Sequence, residues 1–217
     1  MNGRAGTPDL AQHEKVEAFD LLARPGRLAQ EFQARRHAGL AGEAADVDAL
    51  VVHRLDMATS GLMLMARGAA MQRALSQLFE RRAVHKRYVA LVDGRLAPAS
   101  SADGWGLIDL PIAVDWPRRP LRIIDAASGK PSQTRWRSLA FDDAENRTRV
   151  ELEPITGRSH QLRVHMQALG HPLLGDELYA PPEVQALAPR LMLHAEHLAL
   201  VHPCTGLPVQ FTSPAPF

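Results

Sequence analysis

Apolar positions along the chain switch between a period of two and a period near 3.6. Leu62, Met63, Leu64 and Met65 form one run within 60–66 and predict a buried strand. Over 68–82, Met71, Leu75, Leu78 and Phe79 fall at helical spacing and predict an amphipathic helix. Residues 87–93 alternate and stop at Gly94, as a strand does. Residues 96–106 read as a loop of small residues, followed by strands near 132–140 and 147–153 and a turn at Thr156-Gly157. Ser159 is placed to cap a helix over 160–169 that ends at Gly170. On it Leu162, Met166 and Leu169 share one face, while His160, Arg163 and Gln167 share another. A loop holding Pro172, Gly175, Pro181 and Pro182 leads to a last strand pair, about 190–201 and 207–212. Residues 1–50 predict little beyond a turn at Pro25-Gly26. Short strands interspersed with few helices predict an α+β fold.

Charge changes this picture more than composition does. The 217 residues suffice for a sizeable core, and 46% hydrophobic residues exclude wholesale disorder. A net charge of only +1 excludes a uniformly basic nucleic-acid coat protein. The charge is uneven, however. Residues 51–100 hold 8 basic and 3 acidic groups, whereas residues 151–217 hold 3 and 6. Arg73, Arg81, Arg82, Lys86 and Arg87 crowd the positive segment, as a solvated face or as a phosphate-contacting edge. The single cysteine, Cys204, excludes an internal disulfide and points to a reducing compartment. No apolar run approaches bilayer length and the N-terminus lacks a secretory apolar region, so a cytoplasmic protein is expected.

Three polar clusters carry candidate chemistry. The first is HRLDMATSG, with His53, Arg54, Asp56, Thr59 and Ser60. The second is KRYVALVDG, which sets Tyr88 beside Lys86 and Arg87. The third is PITGRSHQLRVHMQALGHPLLGDELY, with Arg158, His160, Gln161, Arg163, His165 and His171 around one helix. The many imidazoles do not make a zinc signature: there is no H-E-x-x-H, and His160 and His165 diverge on a helix. There is no G-x-S-x-G for a serine hydrolase and no phosphate-binding G-x-x-x-x-G-K-[ST].

These three clusters, in this order and spacing, resemble the RluA-type family of RNA pseudouridine synthases over about residues 50–217. The stretches DLPIAVDWPRRP, GKPSQT and APRLMLHAEHL extend the resemblance. It implies a catalytic domain over 50–217, with a mixed, mostly antiparallel sheet and flanking helices around a cleft. Residues 1–49 are expected to be a divergent or truncated segment. KVEAFDLLARPGRL lacks the family's usual Lys-Pro and its β-branched strand, and no separate RNA-binding module precedes it.

The implied reaction breaks the N1–C1′ bond of a uridine in RNA and joins C5 to C1′, with no cofactor and no metal. The resemblance makes Asp56 the essential carboxylate, acting as nucleophile or base. Tyr88 becomes the platform for the uracil and a helper in deprotonating C5, and Arg163 the partner of the aspartate. It implies that Arg54 enters the vacated stack. RNA contacts are expected besides from His53 and Arg158 and, through the basic stretch, from Arg73, Arg81, Arg82, Lys86 and Arg87, while His160, Gln161 and His165 are expected to shape the pocket and hydrogen-bond within it. The implied partner is structured RNA, 23S ribosomal RNA and/or a tRNA anticodon stem-loop, bound by a monomer. The alternative is a catalytically impaired RNA-binding or chaperone protein that keeps the fold.

Overall fold

The computed structural model describes residues 17–21 (main chain), 51–66 and 68–217. The turn expected at Pro25-Gly26 lies outside them. Ten strands and three helices occur among the described residues. In chain order they are β1 (Glu17–Leu21), β2 (Ser60–Met65), α1 (Ala69–Glu80), β3 (His85–Asp93), β4 (Gly106–Asp109), β5 (Ile112–Val114) and β6 (Arg122–Ile124). Then follow β7 (Gln133–Asp142), β8 (Arg147–Pro154), α2 (Gln161–Ala168), α3 (Pro182–Gln185), β9 (Leu193–Val201) and β10 (Pro208–Thr212).

One sheet dominates, with strand order β1-β2-β9-β3-β8-β7-β4 and β10 added beside β9. Only β2 and β9 run parallel among its described pairs, so the sheet is mixed and mostly antiparallel. β5 and β6 form a separate hairpin. Two apolar clusters anchor the sheet. Met71 and Leu75 of α1 bury against Leu62 and Leu64 of β2 and Leu198 and Leu200 of β9. Leu162 and Met166 of α2 bury against Ala90, Val92, Val150 and Leu152 of β3 and β8. Each such side chain contributes about 1.5–3 kcal/mol when fully buried.

The hydrophobic pattern located the long elements and missed the short ones. β4, β5 and β6 have 4, 3 and 3 residues, too few for a period to show. β1 was not expected, because EAFDL has no β-branched residue; yet all five residues pair antiparallel with 61–65 of β2. A neighbouring strand supplied what propensity did not. The expected Ser159 cap is also corrected. His160 occupies the cap position of α2 in the left-handed region (φ 59), and no side chain caps the helix. Nor is that helix amphipathic in the expected way: Gln161, Leu162, Arg163, Val164, His165 and Met166 are all buried.

Two contacts hold the 51–59 loop onto β2. Gly61 has φ +103 and crosses β9 so closely that a Cβ would lie 2.3 Å from the Ala195 carbonyl oxygen. His53 stacks on Phe79 with ring centroids 4.4 Å apart, and the Leu64 N–H donates to its Nε2 at 2.8 Å. Burial pushes the His53 imidazole down to about 4 from its ordinary 6.5, and the charge of Lys86 adds to this. The neutral ring is therefore the folded form, as an acceptor from a backbone N–H requires.

Two outcomes follow from these contacts. Gly61→Ala combines a clash with backbone strain of ~1–3 kcal/mol, so its urea midpoint should fall by at least that equivalent. For His53 the unfolded chain takes up the proton first on acidification. Stability is thus retained above about pH 6.5 and lost as pH falls toward about 4. Urea midpoints measured between pH 7.5 and 4.5 should fall less steeply for His53→Gln, which keeps an acceptor for Leu64 but does not titrate.

Candidate active site

A cleft of about 290 Å³ opens where the loop before β2, the start of β3, the start of β9 and the end of β8 converge. Its wall includes Asp56, Thr59, Lys86, Tyr88, Thr156 and Leu162. All three sequence clusters therefore meet here. The first arrives on the loop that Gly61 and His53 pin to the sheet. The second arrives on β3, where Lys86 and Tyr88, two residues apart, both line the cleft. The third arrives through the 154–161 turn.

Behind this wall lies a fully buried carboxylate. Arg163 donates from Nε to Asp176 Oδ2 at 2.8 Å and from Nη2 to Asp176 Oδ1 at 2.5 Å. The same Oδ1 accepts the Leu178 and Tyr179 N–H groups at 3.0 and 3.1 Å. One edge of the guanidinium, Nε and Nη2, is thereby occupied, and Nη1 is left 3.9 Å from Asp56 Oδ2. That distance is an ion contact and too long for a hydrogen bond. The Tyr179 ring lies 4.9 Å from the guanidinium. Its hydroxyl accepts from the Arg122 N–H at 2.9 Å and meets His160 Nδ1 at 2.6 Å. Arg163 is thus oriented before any substrate arrives. Its expected pairing with Asp56 holds as a contact, while its strong partner is Asp176.

Tyr88 is pushed well above the ordinary phenol value by burial, with the Asp56 charge adding to it. It is a neutral phenol at neutral pH. Burial also lowers Lys86. Two buried polar atoms on the wall have no partner, Thr59 Oγ1 and Arg158 Nε. An orphaned buried donor costs about 1–3 kcal/mol, which an acceptor on a bound molecule would recover.

The remaining expected residues divide. His53, Arg54, Arg82, Lys86, Arg158 and Gln161 line the cleft, whereas Arg73, Arg81, Arg87, His160 and His165 do not. Arg87 instead donates to buried Glu151 at 2.9 Å. His165 bonds Thr134 Oγ1 and the Leu110 carbonyl at 2.9 and 3.0 Å. Gln161 is fully engaged: its amide donates to Gln133 O and Thr134 Oγ1, and its carbonyl accepts from the Thr156 hydroxyl and the Arg158 N–H. These residues hold the floor together. Sequence reasoning assigned no role to Asp176 or Tyr179, although both stand in the GDELY stretch of the third cluster. Among the described residues, no group of three could hold a metal ion, and no helix is long and apolar enough to cross a membrane.

Comparison with known proteins agrees with this geometry. The family described as RNA pseudouridylate synthase matches residues 29–168. "Dual-specificity RNA pseudouridine synthase RluA" of Escherichia coli K12 is 52% identical over 166 residues, covering 76% of this chain and 73% of that protein. The protein of the same name from Salmonella typhi is 48% identical over 198 residues, covering 91% and 86%. Among solved structures, Human RNA Pseudouridylate Synthase Domain Containing 1 superposes with a TM-score of 0.66 at 32% identity, covering 76% of this chain and 69% of that one. The chain belongs to the RluA-type RNA pseudouridine synthases and is an isomerase that acts on RNA.

Proposed function

We propose that this isomerase converts a specific uridine in structured RNA to pseudouridine with Asp56 as the reacting carboxylate. The placement of Asp56 carries the reading: it stands in the cleft with Tyr88, and a clamped guanidinium sits 3.9 Å away. The N1–C1′ bond breaks and a C5–C1′ bond forms. C5 loses a proton and N1 gains one, so the RNA keeps its mass. Asp56 either attacks C1′ or takes the 2′ proton, and both routes place the same carboxylate against the sugar. Arg163 gives that carboxylate a fixed positive neighbour. Neutral Tyr88 is a platform for the detached uracil, with stacking worth ~1–3 kcal/mol.

The uridine must first leave its stack, at a cost of about a few kcal/mol. Arg54, exposed at the rim, is placed to fill the space it leaves. Arg82, Lys86 and Arg158 supply positive charge for the flanking phosphates. The relatives' designation as dual-specificity supports two substrates, which we take to be 23S ribosomal RNA and a tRNA anticodon stem-loop.

Asp56→Asn should abolish pseudouridine formation while leaving the melting temperature and RNA binding near those of the unaltered chain. Mapping of modified sites after incubation with RNA checks this, and normal turnover by that variant would sink the assignment. If the unaltered chain binds RNA without converting it, the non-catalytic reading wins instead. Thr59→Val removes the orphaned hydroxyl at constant shape. Its melting temperature should stay level or rise, while kcat/KM drops by about tenfold or more, one lost hydrogen bond to the substrate. Unchanged kcat/KM would show that Thr59 does not touch the nucleotide.

A further inference from the structure

The cleft accommodates one nucleotide, yet an exposed aromatic among arginines lies outside it, on the loop between β5 and β6. That loop is internally fixed. The Asp115 N–H donates to the Leu121 carbonyl at 3.1 Å, and the Leu121 N–H to the Arg118 carbonyl at 3.0 Å. Arg118 Nε donates to the Asp115 carboxylate at 2.7 Å. At the base of the hairpin, Ile112, Leu121 and Ile124 pack with Val164 of α2 and Tyr179.

Trp116 has no share in this packing. It is 68% exposed, whereas Trp136 in the core is 8% exposed. The Arg119 guanidinium lies 3.6 Å from its ring centroid and covers one face. Asp115 engages Arg118, but Arg119 and Arg122 make no ion pair among the described residues. An indole left in water beside uncompensated guanidinium groups is suited to a partner that is flat and anionic at once. An unpaired nucleotide has both properties, whereas an acidic peptide offers only charge.

We propose that the β5–β6 hairpin is a second RNA-contacting surface, which takes an unpaired nucleotide flanking the target uridine. Its base stacks on Trp116, and its phosphate is held by Arg119 and Arg122. The inference rests on the RNA-isomerase reading of the cleft. Position supports it as well. The Arg122 N–H bonds the Tyr179 hydroxyl at 2.9 Å, and the Tyr179 ring packs against the guanidinium that faces Asp56. The root of the hairpin is therefore one side chain removed from the catalytic arginine. One RNA element can occupy both places.

Trp116→Ala, Trp116→Phe and Arg119→Gln test this on a stem-loop RNA that the unaltered chain converts. Trp116→Ala should raise KM by about 5- to 100-fold, the range of one stacked base, with kcat at saturation within about twofold. Trp116→Phe should recover most of the loss. Arg119→Gln should reduce the slope of log KM against log salt by about one. Melting curves for all three should overlay that of the unaltered chain, since the side chains altered are exposed. KM values within twofold of the unaltered chain for all three variants would overturn the inference. Failure of the underlying reading looks different: no pseudouridine from the unaltered chain, or full activity from Asp56→Asn.

Discussion

The site depends on one buried ion pair. Asp176 has no exposed surface, and Arg163 almost none. Burying two charges is expensive, and their attraction repays the cost only when every lone pair and proton finds a partner. Asp176 meets that demand with two donors from Arg163 and two backbone N–H groups from its own turn. The 176–179 turn is therefore shaped around the carboxylate, and α2 is fastened to that turn. Removing one partner from such a pair costs about 3–5 kcal/mol, because it strands the other charge. The contact with Asp56 is made by what remains, the Nη1 that Asp176 leaves free. Evolutionary change at Asp176 would thus disturb folding and chemistry together.

The sheet explains why the three clusters meet. β2, β9, β3 and β8 are consecutive neighbours in the sheet, and the segments that precede β2 and follow β8 open on the same cleft. Segments far apart in sequence are thereby brought to one cleft. Pinning matters as much as adjacency. A carboxylate on a loose loop would lose the orientation that catalysis requires. Gly61 lets β2 run against the backbone of Ala195, and neutral His53 holds the Leu64 N–H. The loop carrying Asp56 is thus tied at one end to main chain rather than to exchangeable side chains.

Much of this was legible in the sequence. β2, α1, β3, β8 and the β9–β10 pair were visible as periods, because each is long enough to bury a face. Asp56, Tyr88 and Arg163 were visible as parts of the three clusters, and the structure brings Asp56 and Tyr88 onto one wall with Arg163 behind them. Other features were not legible, for a shared physical reason. The roles of Asp176 and Tyr179 come from partners 13 and 57 residues away, and no local pattern encodes such contacts. Polar residues on α2 were read as a solvent-facing or ligand-facing stripe. Of His160, Arg163 and Gln167 only Arg163 is buried, and Gln161 and His165 are buried beside it because Gln133, Thr134, Thr156 and Leu110 supply hydrogen bonds that no helical projection can show. Arg87 is the same lesson in charge. Counted with the basic stretch, it spends its charge inside the fold on Glu151.

Of the chain's two tyrosines, Tyr88 shares the cleft wall with Asp56 and Tyr179 packs against Arg163, and both are held neutral by burial. Tyr88 faces the cleft, where a neutral phenol can stack on a uracil without repelling the Asp56 carboxylate. Burial raises Tyr179 to about 12, so it keeps its proton throughout the range in which RNA is stable. That proton matters structurally. The hydroxyl accepts from the Arg122 N–H and has one hydrogen left for His160 Nδ1, whose pKa burial lowers. Phenolate would have no hydrogen to give, and imidazolium could not accept one. The same neutral ring also supports the Arg163 guanidinium. The rings beside Asp56, Arg163 and Asp176 are thus neutral aromatic and imidazole groups, while the cleft wall carries Arg54, Arg82, Lys86 and Arg158. Neutral rings locked by packing and hydrogen bonds leave the orientation of the guanidinium, and so its field at Asp56, to be set by geometry.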